Sequence, residues 1–162
     1  MKKRLYFISV LVLGLGVFIF FSGNKTQSAG TSEMLLIPSL NVAVSIIYVD
    51  SMNNDDIENA LYSAAVHQKG SAIPGNVGNA QIMGSYNNIF HNLLNINVGE
   101  SVLVQRDNGK TLVFEVIDKN ISSSHDLNSL NLKNDKRRLL TLTTTDPIGT
   151  GNLQYFVVAE LK

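Results

Sequence analysis

The side chains able to do acid, base or nucleophilic chemistry in this 162-residue chain are few, and the type that is missing constrains the chemistry most: there is no cysteine. A disulfide framework, a thiolate zinc site, a CxxC redox pair and a thiol nucleophile are therefore all excluded. Three histidines remain as candidates for proton transfer. His67 falls in the stretch VHQKGSAIPG, His91 in the predicted turn IFHNLL and His125 in SSSHDL, and each reads as an exposed or loop histidine without a catalytic role. The run Thr143-Thr144-Thr145 offers hydroxyls. An alcohol is nucleophilic only when an adjacent general base takes its proton, and threonine's branched β-carbon equally suits a plain strand.

The 13 basic and 13 acidic residues cancel, which removes the basic stripe that nucleic-acid binding asks for. Residues 34–162 alone hold 9 Lys or Arg against 12 Asp or Glu. Lys2, Lys3 and Arg4 precede the run from Leu5 to Phe21, LYFISVLVLGLGVFIFF, 17 residues in which Ser9 is the only plainly polar one. A helix of that length spans about 25 Å at ~1.5 Å per residue, enough to cross a bilayer. The flanking cations put its N-terminus in the cytoplasm and everything after Ser22 outside. A cleaved signal peptide using Ser28-Ala29-Gly30 fits less well, because the run exceeds the usual h-region and Gln27 stands where a small residue is wanted. The expected organisation is a cytoplasmic tip and single-pass membrane anchor over 1–21, a polar stalk over 22–33 (SGNKTQSAGTSE) and one folded domain over 34–162.

Within that domain most segments read as strands. Met34 to Ile37 and Val42 to Tyr48 are apolar and β-branched, divided by Pro38-Ser39-Leu40-Asn41. Ile57, Ala60, Leu61, Ala64 and Ala65 recur at helical spacing, and Ser51 to Asp56 offers capping side chains and acids for the helix start. Gly70 to Gly78, with Pro74-Gly75, reads as a loop, Ala80 to Met83 as a short strand and Asn88 to Asn95 as one or two helical turns. Val102 to Arg106 and Thr111 to Ile117 form a predicted hairpin about Asp107-Asn108-Gly109. Ile121 to Asp135 is expected to be a loop with a helical turn around Leu127 to Leu130. Leu139 to Thr144 and Leu153 to Leu161 complete the strands, on either side of a loop from Asp146 to Asn152. Seven or eight strands with one good helix, and no alternation of strand and helix, predict a mainly β fold closed into a barrel.

The order of these segments resembles the sortases, cysteine transpeptidases of the outer face of Gram-positive membranes, over essentially the whole of residues 35–161. The resemblance is carried by IPSLNVAVSI (37–46), VHQKGSAIPGNVGN (66–79), IMG (82–84) and IFHNLLNINVGE (89–100), then by LTLTTTDP (140–147) and QYFVVAEL (154–161). It implies a sortase-like closed barrel behind an N-terminal anchor. It also implies a site in which the cysteine ending a TLxTC strand attacks the Thr-Gly bond of an LPXTG-type sorting signal, a histidine exchanges the proton and an arginine on the last strand holds the oxyanion. No cofactor is implied. This chain departs at all three positions: Ser85 follows Gly84 where histidine is expected, Thr145 takes the place of the cysteine, and Gln154 takes that of the arginine.

A serine hydroxyl cannot replace an imidazole base near neutral pH, and a glutamine donates to an oxyanion without charge. Of the histidines, His67 lies where active sortases tend to carry one, while His125 lies in a loop that in the family often borders the groove. Asp126 and Asp135 share that loop. They could belong to a calcium site like that of some sortases, although two acids without further ligands read more simply as a solvated loop. The resemblance therefore implies a membrane-anchored, extracytoplasmic sortase-family protein without catalysis, binding a sorting-signal peptide, a pilin or an active sortase through Ser85, Thr145 and Gln154. The alternative is an acyl transferase that uses Thr145.

Overall fold

In a computed structural model, which describes residues 32–49, 54–122, 136–145 and 153–162, eight strands close into one barrel in the order β1-β2-β3-β4-β7-β8-β6-β5. The strands are β1 (Met34–Ile37), β2 (Val42–Tyr48), β3 (Ala65–His67), β4 (Gly78–Met83), β5 (Ser101–Gln105), β6 (Thr111–Ser122), β7 (Arg138–Thr145) and β8 (Gln154–Leu161). One helix, α1 (Asn54–Ser63), and two 3-10 turns, Pro38–Leu40 and Leu93–Asn95, accompany them. Among the described residues no helix is long and apolar enough to cross a membrane. The apolar run 5–21 lies outside the described residues, as does the stalk except for its last two residues.

The alternation read in the sequence becomes the inner wall of the barrel. Leu35 and Ile37 of β1, Val102 and Val104 of β5, Phe114 and Val116 of β6, Leu140 and Leu142 of β7 and Val157 and Ala159 of β8 join one buried cluster. Each fully buried side chain of this size contributes roughly 1.5–3 kcal/mol by leaving water. The tight turn between β5 and β6 forms at Gly109, whose φ of 79° is a left-handed conformation that glycine adopts without Cβ strain. Arg106 and Lys110 close it with a 2.8 Å backbone hydrogen bond.

Three elements differ from the expectation. Helical spacing continued through Ala64 and Ala65, yet α1 stops at Ser63 and Ala65–His67 is a strand, parallel to β2 (Ile46↔Ala65) and antiparallel to β4 (Val66↔Met83). All three β3 residues are buried, so pairing on both edges outweighs a periodicity carried only by small alanines. His67, expected exposed or in a loop, therefore ends a strand and is 4% exposed. The third difference is the length of β6, which runs to Ser122 instead of ending at Ile117. The β6–β8 register shifts between Val116 and Asp118. Beyond this bulge Asp118 to Ile121 are exposed, so no apolar alternation marks the strand.

Two of the barrel's neighbouring pairs are parallel, β2–β3 and β4–β7. The first is joined through α1, and the second brings two strand ends together at one rim.

Candidate binding cleft

Parallel pairing of β4 with β7 sets the site. Met83 lies opposite Thr143, and one step further the Gly84 N–H donates to the Thr143 carbonyl at 3.0 Å. The chain then leaves the ladder at Ser85, whose carbonyl accepts from the N–H groups of Ile89 and Phe90 at 3.0 and 2.9 Å. This tight turn folds the Phe90 ring back over Gly84. A Cβ at position 84 would stand 2.6 Å from Phe90 Cε2, so the glycine is required by close approach. At the same rim β7 ends at Thr145, paired with Gln154 at the start of β8.

Helix α1 crosses beside these strand ends and completes a cleft of ≈ 240 Å³. Its floor and strand side are Met83, Gly84, Ser85, Thr143, Thr144 and Gln154, and its helix side is Glu58, Leu61 and Tyr62. Thr143 and Thr144 are 9% and 4% exposed, and Thr144 Oγ1 is buried with no hydrogen-bond partner. Of the residues predicted for the site, Ser85 and Gln154 line this cleft, and Thr145 is placed by its register opposite Gln154.

Among the described lining residues there is no histidine, lysine or arginine, and Glu58 is the one charged side chain. Hydroxyls and an amide can hydrogen-bond to a ligand, and a nucleophilic hydroxyl needs an adjacent base, for which the Glu58 carboxylate is the one basic side chain among the described lining residues. His67 does not line the cleft. Its Nε2 lies 2.8 Å from the Ala72 carbonyl and 3.1 Å from Ser71 Oγ. A carbonyl only accepts, so Nε2 carries the proton, while the ring packs on Tyr48 with centroids 4.7 Å apart. His91 is exposed and outside the cleft lining. His125, Asp126 and Asp135 lie outside the described residues.

Two groups with displaced pKa values lie elsewhere. Burial, and then the hydrogen bond it donates to Glu33, raises the Tyr48 phenol, while hydrogen bonds from Ser39 and Asn97 hold Glu100 below the usual carboxylate range. In the sequence Leu61 belongs to a helical spacing of apolar residues, and nothing there marks Glu58 or Tyr62. Their spacing of four places them on one helical face, and the exposure of an aromatic on that face is a feature that only the fold reveals.

A closed mixed barrel of eight strands, with a cleft where two parallel strands end beside a single helix, defines the architectural class. The profile of the sortase domain family matches residues 35–162, and the chain belongs to the sortase family. It is a sortase-family protein without cysteine. The fold is similar to sortase C1 of Streptococcus agalactiae, with a TM-score of 0.69 at 18% identity over 80% of this chain and 66% of that one. Sortase A of Corynebacterium diphtheriae gives a TM-score of 0.69 at 22% identity, over 81% of this chain and 60% of that one. The chain thus spans slightly less than two thirds of the length of these solved sortases. Sortase C-1 of Actinomyces oris gives 0.68 at 25% identity, over 80% and 73%. A comparison with curated protein sequences finds no match.

Proposed function

We propose that this protein is a non-catalytic member of the sortase family, tethered to the outer face of the membrane by residues 5–21, whose cleft holds an extended sorting-signal-type peptide without cleaving it. The observation that supports this reading is a cleft at the ends of β4 and β7 whose described lining residues offer hydroxyls, an amide and one carboxylate but no thiol, imidazole or guanidinium. The peptide belongs to a pilin or another surface protein, or reaches the cleft alongside an active sortase. Backbone hydrogen bonding and side-chain pockets suffice for such binding, and without a charged oxyanion partner the affinity is modest.

The full chain, isotope-labelled in detergent micelles, is titrated with an LPXTG-type peptide in the presence of an amine. Shifts centred on Ser85, Thr144 and Gln154 with the peptide left intact support the reading. Hydrolysis, transfer to the amine, or an acyl ester on Thr145 seen by mass spectrometry would show an acyl transferase instead.

A further inference from the structure

We propose that the helix side of the cleft is a cation subsite, in which the Glu58 carboxylate and the Tyr62 ring receive a lysine or arginine side chain of the bound peptide. This rests on the groove-binding reading and names the chemistry of its ligand.

Glu58 and Tyr62 lie one helical turn apart on α1 and line the same cleft. Tyr62 is 77% exposed, although it borders an apolar recess with Leu61 and Met83. An aromatic face beside a carboxylate attracts an ammonium or guanidinium through both the ring quadrupole and the charge. Three other glutamates on the barrel already have cations, Glu33 with Arg106 at 2.5 Å, Glu115 with Lys162 at 2.7 Å and Glu160 with Arg137 at 3.6 Å, and Glu100 is held by hydrogen bonds from Ser39 and Asn97. Among the described residues Glu58 has no cation.

The strand side supplies a second, independent sign of a ligand. Thr144 Oγ1 is buried and unpartnered at the cleft, and a buried hydroxyl without a partner is costly unless a bound group satisfies it. The cleft therefore pairs an unmet hydrogen bond at its floor with an unmet negative charge at its rim. An extended peptide with a cationic side chain meets both, the backbone reaching the floor and the cation reaching α1. A sortase retaining histidine and arginine here would repel such a side chain. Their replacement by Ser85 and Gln154 leaves Glu58 to set the sign of the field.

The test uses the full chain in micelles and peptides built on LPATG, with Lys or Glu placed in turn at the third motif position and at the residue on either side of the motif. At one position the Lys peptide should bind about five- to tenfold tighter than its Glu counterpart, and the gap should narrow with added salt. Glu58→Gln and Tyr62→Ala should each reduce that preference, read within each variant as the ratio of its affinities for the Lys and Glu peptides, and Tyr62→Phe should preserve it. Equal binding of Lys and Glu peptides at every position overturns the cation subsite and leaves groove binding standing. If no peptide in the set shifts Ser85, Thr144 or Gln154 at millimolar concentration, groove binding fails as well.

Discussion

Thr145 and Gln154 face one another across the last rung of the β7–β8 ladder. The resemblance to the sortases assigns these positions to the nucleophile and the oxyanion partner, and the register sets their backbones opposite one another. Under that assignment the chain carries a hydroxyl, an amide and, at Ser85, a second hydroxyl that cannot act as a base near neutral pH.

Restoring the side chains that the resemblance assigns there should therefore recover part of the reaction. In the triple variant Ser85→His, Thr145→Cys, Gln154→Arg, an LPXTG-type peptide should form a thioester at position 145, visible as an added mass and blocked by a thiol reagent. Loss of one member of a nucleophile–base unit costs on the order of 10^6 in turnover in a well-studied protease. The single Thr145→Cys variant should accordingly be slower by at least about 10^3-fold. A properly folded triple variant that never acylates would mean that the rim is not aligned for catalysis.

The fit of Phe90 over Gly84 should make position 84 intolerant of a methyl group. Gly84→Ala forces the ring of a residue 1% exposed to move, a cost of about 1–3 kcal/mol for overpacking. Phe90→Ala loses about 3–5 kcal/mol by the cavity it opens. In the double variant the alanine methyl no longer meets a ring, so the two losses should fall short of additive. Thermal unfolding of the four proteins measures this directly, and strict additivity would show that Gly84 is not held by the contact with Phe90.

The strands of the inner wall were legible because Leu35, Ile37, Val102, Val104, Phe114 and Val116 alternate with less buried neighbours, the period that burial of one strand face imposes. Ala65 to His67 were not. Three residues buried together offer no alternation, and the preceding alanines continue a helical spacing. The far half of β6 was hidden for the opposite reason, since Asp118, Lys119 and Asn120 are all exposed beyond the bulge. The positions of Ser85, Thr145 and Gln154 came from family likeness, because nothing in their residue types marks a site. Glu58 and Tyr62 could emerge only once α1 was seen beside the ends of β4 and β7.

Alkaline stability should depend on Tyr48. Its hydroxyl donates to Glu33, which Arg106 holds from the other side, and Arg106 also donates through Nη1 to the Pro74 carbonyl at 2.9 Å. Burial first, and the Glu33 hydrogen bond second, raise the folded-state pKa above the ordinary value of 10.0. The unfolded chain therefore releases this proton first as the pH climbs. The contribution is complete below pH about 10 and is lost as the pH rises through the higher folded-state value. Denaturant midpoints measured from pH 8 to 11 should fall on the alkaline side, and Tyr48→Phe should flatten that limb. An unchanged slope in the variant would assign the fall to other groups.

Between β4 and β7, Thr141 Oγ1 donates to Asn79 Oδ1 at 2.8 Å, with the two residues 0% and 9% exposed. The Asn79 amide nitrogen is itself buried without a partner, so the pair is already only half satisfied. Thr141→Val keeps the branched shape suited to the strand but strands the carbonyl oxygen of Asn79 as well, at a cost of about 1–3 kcal/mol. Replacing both residues with apolar ones, Asn79→Leu with Thr141→Val, removes every unsatisfied atom together. The double variant should recover most of the loss and can exceed the parent in stability, because a half-satisfied buried pair is worse than an apolar contact. Urea unfolding should show the midpoint shifting with little change in slope. Because neither Asn79 nor Thr141 lines the cleft, peptide binding there should be unaltered in both variants. A double variant less stable than Thr141→Val alone would show that the Asn79 side chain contributes something beyond this hydrogen bond.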